Sequence, residues 1–147
     1  MEETDTITRL MEKSHQELEE LLGKFKSNLL DNFELASEAF EEFKRELEKH
    51  LSIEENAIFK FFNPAKDEDY NKVVPDLMKE HDLLLEMLNN VNNDLAVKKD
   101  IDISDFEKLL VKHKKFEEEF FYPKMEKDLE DFQRDIVIAR IKEGLFS

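Results

Sequence analysis

Cysteine and tryptophan are absent from this 147-residue chain, glycine occurs twice and proline three times. Without cysteine there can be no disulfide, thiolate metal site or cysteine nucleophile. So few turn-forming residues exclude a β-sandwich or barrel, and they leave no glycine-rich loop to cradle a phosphate. No apolar run approaches the ~18 residues that a membrane span needs. Positive charge is also scarce: 22 Lys and Arg stand against 37 Asp and Glu, a net charge of −15. Such a surface repels phosphate backbones and anionic lipid, so neither nucleic acid nor membrane is an expected partner. Met1 is followed by Glu2, Glu3 and Asp5 rather than by a basic and then apolar stretch. No secretory signal is therefore expected, and the cytoplasm is the expected location.

What is abundant is helical periodicity. Met11, His15, Leu18, Leu22, Phe25 and Leu29 recur at alternating spacings of four and three, one stripe of an amphipathic helix. A second stripe runs Ala36, Phe40, Phe43, Leu47, His50, Glu54, Ala57, Phe61 and should stop at Asn63-Pro64. The third is Val74, Leu77, His81, Leu84, Leu88, Val91, Leu95, with Pro75 in its first turn. Ser104 with Glu107 reads as a capping box for a fourth stripe, Phe106, Leu110, His113, Glu117, Phe120, which Pro123 should kink or end. A short fifth helix follows, carrying Ile136, Val137, Ile138 and Ile141. The chain is thus expected to be one all-α domain over 1–147, an up-down-up-down four-helix bundle with a short C-terminal fifth helix. The expected helices cover 4–30, 33–62, 70–95, 104–126 and 131–144. The halves repeat weakly: His50-Leu-Ser-Ile-Glu54-Glu55 is echoed by His113-Lys-Lys-Phe-Glu117-Glu118.

The informative residues are polar ones where apolar ones belong. All four histidines lie in apolar stripes, one per long helix, and Glu54 and Glu117 follow one turn later on the same faces. A buried carboxylate without a partner costs several kcal/mol, so a core holds one only when it is paired or metal-bound. Measured from the turns, the histidines sit at matching depths to within roughly 2 to 4 Å at the helical rise. They should form one layer facing the bundle axis. A lone histidine in a core is most often simply hydrogen-bonded, and a His-to-Glu spacing of four is common as a surface ion pair. Four histidines at one depth, two with an inward Glu, point instead to metal.

His15, His50, Glu54, His81, His113 and Glu117 suit a pair of borderline first-row cations. Four imidazoles, two bridging carboxylates and a bridging oxo or hydroxo group leave one open position on each of two octahedral metals, where a small ligand such as O₂ can bind. Helix adjacency pairs His15 with His50 and His81 with His113. Removing metal is expected to leave the two carboxylates desolvated, with raised pKa values.

One histidine on the first helix, HxxxE on the second, one histidine on the third and HxxxE on the fourth resembles the hemerythrin-like (HHE cation-binding) domains. The flanking Glu54-Glu55, Ile58-Phe59 and Glu117-Glu118-Glu119-Phe120-Phe121-Tyr122-Pro123 agree, and the resemblance covers roughly residues 8 to 125. It implies a four-helix bundle holding a non-haem di-iron centre, two iron ions per chain, used for O₂ binding, storage or sensing. Manganese or zinc are further metals that the ligand types permit. Oxygen carriers of the family have HxxxH on the third helix, whereas here Leu85 stands four after His81. They also have a His and an Asp five apart on the fourth, whereas here Glu117 stands at +4 and Glu118 at +5. Glu55 and Glu118 read as partners of the ligands, as occasional ligands or as a solvated acidic flank, and Tyr122 as ordinary packing at the bundle end.

Ferritin-like di-iron bundles use ExxH. Leu47, Met78 and Leu110 stand three before His50, His81 and His113, and only His15 has such a Glu, Glu12, so that reading is disfavoured. A single tetrahedral zinc would not need six ligands. The expected function is binding, sensing or scavenging of O₂ or a related small molecule, more a metal and O₂-binding role than that of a dedicated enzyme. The alternatives are an oxidoreductase decomposing peroxide or nitric oxide, and a metal-stabilised interaction module. Phe40, Phe43, Phe116 and Phe120 are expected to wall the site.

Overall fold

The computed structural model describes residues 5–62, 71–98 and 100–146, and every regular element among them is helical. Helix α1 (Ile7–Asn28) starts where the Thr6 hydroxyl accepts the Arg9 N–H at 3.1 Å. Helix α2 (Phe33–Ile53) starts where the Asn32 side chain accepts the Leu35 N–H at 3.2 Å. These caps satisfy backbone donors that the helices leave orphaned. Helix α3 is Val73–Ala96 and α4 is Ser104–Phe116; α5 (Tyr122–Asp128) continues α4, and α6 is Asp131–Leu145. The expected stop at Asn63-Pro64 lies outside the described residues.

The expected capping box at Ser104 is not formed. The Asp102 carboxylate instead accepts the Ser104 N–H at 2.9 Å, and a capping box occurs at Glu130 with Gln133, opening α6. Nor does Pro123 end its helix. It lies in the first turn of α5, where a missing N–H is tolerated.

Both glutamate-bearing helices widen at their glutamates. Residues Glu54–Ile58 form a π-turn followed by a 3₁₀ turn, Phe59–Phe61, and Glu117–Phe121 form a second π-turn between α4 and α5. A π-turn takes in one extra residue and rotates the face that follows. The buried series after Glu117 is consequently Phe121, Tyr122 and Met125, with Phe120 only half-buried, where unbroken α-helical spacing predicts Phe120.

Helix α1 runs antiparallel to the α4–α5 rod. Lys26 pairs with Glu107 at 3.0 Å, Glu19 with Lys114, and the Thr8 N–H with Glu126 at 3.2 Å, so positions fall along one helix as they rise along the other. Helix α6 packs on α1, α2 and the first π-turn. The apolar core divides in two. One cluster holds Leu18, Phe25, Phe40, Phe43, Leu47, Leu84, Leu88 and Phe106; the other holds Met11, Ile58, Phe59, Leu77, Phe121, Tyr122, Met125, Val137 and Ile141. Each of the four histidines falls in sequence between a member of one cluster and a member of the other. The polar layer is therefore sandwiched between two dry ones.

The two glycines give opposite expectations. A Cβ on Gly144 would stand 2.6 Å from Ile53 Cγ1, whereas one on Gly23 would meet nothing within 4 Å. In a helix Gly costs roughly 0.5–1 kcal/mol relative to Ala, and overpacking costs roughly 1–3 kcal/mol. Urea denaturation should show Gly23→Ala more stable than the parent and Gly144→Ala less stable.

Candidate metal centre

The structure brings all six expected residues together. His15, His50, His81, His113, Glu54 and Glu117 are buried, and both carboxylates have no exposed surface. The ring centroids of His15 and His50 lie 4.5 Å apart and those of His81 and His113 5.0 Å apart. Each imidazole turns Nε2 toward the carboxylates. Glu54 Oε1 is 3.1 Å from His50 Nε2, 3.5 Å from His81 Nε2 and 3.8 Å from His113 Nε2. Glu117 Oε1 is 3.4 Å from His15 Nε2 and 3.2 Å from His113 Nε2.

The opposite ring nitrogens have partners of their own. His15 Nδ1 meets Glu118 Oε1 at 3.1 Å, His81 Nδ1 meets Glu55 Oε1 at 3.3 Å, and His113 Nδ1 meets Glu80 Oε1 at 2.7 Å. His50 Nδ1 meets the Ser14 hydroxyl at 2.8 Å. An ionised carboxylate can only accept, so the Nδ1 facing it carries the proton and, in the neutral ring, Nε2 keeps the lone pair. That is the arrangement in which a supporting carboxylate orients an imidazole toward a cation.

Glu55 and Glu118, for which a solvated flank was the other reading, thus bond to rings on neighbouring helices. Ser14 and Glu80 do not show in the stripe pattern, which counts only inward positions. Their one signal is that each immediately precedes a stripe histidine, His15 or His81, in corresponding places of the two half-repeats. Tyr122 is no mere end packing. It is fully buried, its ring centroid is 6.0 Å from that of His15, and its hydroxyl donates to Glu54 Oε2 at 3.1 Å. The second π-turn places it there by turning the residues after Glu117.

The aromatic wall also differs from expectation. Phe116 is 38% exposed and meets half-buried Phe120 at a tilt, while Phe40 and Phe43 belong to the dry cluster with Phe25 and Phe106. The ring that covers His81 is Phe59, at 5.3 Å between centroids.

Electrostatics follow the same geometry. Burial, and then the neighbouring His50, push His15 down from 6.5 to about 2. Burial also opposes charge on His113, but the neighbouring Glu54 carboxylate and the bond to Glu80 outweigh it and hold His113 up at about 9. Burial would raise Glu54, as expected, yet the imidazoles of His50, His113 and His81 overturn this and hold its carboxyl well below the usual carboxylate range. Burial pushes the Tyr122 phenol well up, so it stays a neutral donor.

Three ring nitrogens (Nε2 of His50, His81 and His113), Glu54 Oε1 and both Glu117 oxygens are buried without a hydrogen-bond partner, their mutual approaches lacking hydrogen-bond geometry. Unpaired buried atoms of this kind are expensive and call for an explanation. They are also convergent. Ligand atoms of Glu54, His81, His113 and Glu117 lie within 4.8 Å of one another, as do those of His15, His50 and Glu117. Imidazole and carboxylate together suit a borderline divalent cation, so the residues fit a metal. Comparison with known proteins agrees: the profile of the hemerythrin HHE cation binding domain matches residues 6–125. No curated protein and no solved structure gave a significant match. Among the described residues, no helix is long and apolar enough to cross a membrane.

The shifted histidines fix how stability without metal responds to pH. The His113 contribution is complete below 6.5 and lost as pH rises through about 9. That of His15 is complete above 6.5 and lost as pH falls toward about 2. Urea midpoints of chelator-treated protein should peak near pH 6.5 and fall on both sides. A flat profile from pH 5 to 9.5 would contradict the ring environments described above.

Proposed function

The chain belongs to the hemerythrin family of HHE cation-binding domains, and from that premise we propose that it is a non-haem di-iron protein that binds, senses or scavenges O₂ or a related small diatomic molecule. The observation that carries this is the position of the two carboxylates. Glu54 reaches His50 of one histidine pair and both His81 and His113 of the other; Glu117 reaches His15 of the first pair and His113 of the second. A carboxylate that faces donors of two separate groups would suit a centre of two cations, which supports this reading. Glu117 belongs to both convergent groups. We read the frame as an up-down-up-down bundle closed by α6, which the antiparallel pairs between α1 and the α4–α5 rod support.

Bound iron would supply reducing electrons and an open coordination position for a small ligand. The chain's own residues do the rest. Glu54 and Glu117 balance the cations' charge in a dry layer. Glu118, Glu55, Glu80 and Ser14 hold the rings by their Nδ1 atoms, so that Nε2 points inward. Because His113 holds a proton up to about pH 9, a cation must displace that proton, and loading should release it. Leu85, where carriers of the family have a further histidine, packs against the apolar cluster and offers no ligand. Glu55 and Glu118, engaged with rings, are positioned as supports.

Protein saturated under anaerobic conditions should hold two iron ions per chain, and Glu54→Ala or Glu117→Ala should each lose both together, read by elemental analysis. One iron per chain with both variants unaffected would refute the shared site. Replacing Glu80 by Gln should lower iron affinity by roughly 10- to 100-fold while the fold is kept, as for other carboxylates that support metal-bound imidazoles. Mixing the reduced protein with O₂ should give one lasting oxidised spectrum. A spectrum that bleaches when O₂ is removed and returns over many cycles would mark a reversible carrier instead.

A further inference from the structure

Helix α1 packs closely along α2 but approaches α4 less closely. Between α1 and α4 lies a cleft of about 270 Å³. Its walls are Leu18, Leu22 and Gly23 from α1 and Leu110 and Val111 from α4, and His15 is at its inner end. Two ion pairs span the seam on either side, Lys26 with Glu107 and Lys114 with Glu19, and all four of these residues border the cleft. They hold the helices in place and neutralise each other's charge at the rim. Gly23 is the telling residue. It lies mid-helix, where glycine is unfavourable, and no close packing requires it, because a Cβ there would touch nothing. It lies at the exposed edge of the cleft, and its missing side chain leaves that wall open.

We propose that the α1–α4 cleft is a binding site for a neutral, largely apolar small molecule, kept open by Gly23 and leading to His15. Its volume is far more than a diatomic needs and close to the roughly 300 Å³ lower bound of organic ligand pockets. Its walls are aliphatic, so a ligand gains by leaving water. Charge selects against ions. The rim cations are already paired, Glu117 and Glu118 stand behind His15, and the chain carries a net charge of −15, so an anion is repelled. A cation would lose its hydration against leucine and valine without gaining a partner. The role of the cleft as the route to the centre rests on the di-iron reading; its capacity to bind does not.

The probe is toluene, with benzoate as its charged counterpart, titrated into the full chain and followed by NMR of the Leu and Val methyl groups. Toluene should bind saturably, shifting Leu18, Leu22, Leu110 and Val111, both with and without iron. Gly23→Leu, which fills the cleft from one wall, and Val111→Phe, which fills it from the other, should each weaken binding at least tenfold. Benzoate should bind at least tenfold more weakly than toluene. Unsaturable toluene shifts, equal binding to the filled variants, or equal binding of benzoate would each overturn the proposal. With iron loaded to the parent's content, Gly23→Leu should slow oxidation by O₂ at least tenfold, and an unchanged rate would remove the link between cleft and centre. Failure to bind iron at all would strike the di-iron reading alone, because the toluene shifts are read without it.

Discussion

Two carboxylates with no contact to water have to be neutralised in the middle of a helical bundle. Glu54 and Glu117 are each completely buried, and an ionised carboxylate in such a place is unstable without positive partners. Everything around them answers that demand. Four imidazoles turn Nε2 inward, two apolar clusters shut the layer off above and below, and a tyrosine hydroxyl takes the remaining oxygen of Glu54. The convergence of lone pairs on unpartnered oxygens makes sense for a centre that receives cations.

The support of those imidazoles follows a two-fold rule. The glutamate after each inward one reaches across to the lone histidine of the other half: Glu55 to His81, Glu118 to His15. The residue before each lone histidine reaches the histidine of the HxxxE motif: Ser14 to His50, Glu80 to His113. Symmetry fails at one position only, a hydroxyl where the other half has a carboxylate. A hydroxyl makes a weaker acceptor than a carboxylate, so the His50 ring is held less firmly than the His113 ring, and the two halves of the centre are not equivalent.

The π-turns connect this chemistry to the fold. Each begins at an inward glutamate, and each shifts the following residues by one position. After Glu117 the shift brings Phe121, Tyr122 and Met125 inside and leaves Phe120 half-buried. Without it, Tyr122 would not face Glu54. It also lets Pro123 follow in the first turn of α5 without ending the rod.

Much of this was legible in the residues alone. Spacings of three and four put His15, His50, His81, His113, Glu54 and Glu117 on inward faces, because a helix repeats every 3.6 residues whatever it packs against. The apolar stripes fixed the helices to within a few residues for the same reason. Which acid would bond which ring could not be read, since Ser14–His50, Glu80–His113 and Glu118–His15 join residues 36, 33 and 103 positions apart. The π-turns left no mark in a pattern read at one fixed period, and burial alone gave the wrong direction for Glu54 until its imidazole neighbours were in place. The cleft beside Gly23 likewise depends on how far α1 stands from α4. Local periodicity determined which side chains face inward, and tertiary packing decided what they meet there, because distances between helices are set by the whole core and by no single stretch of chain.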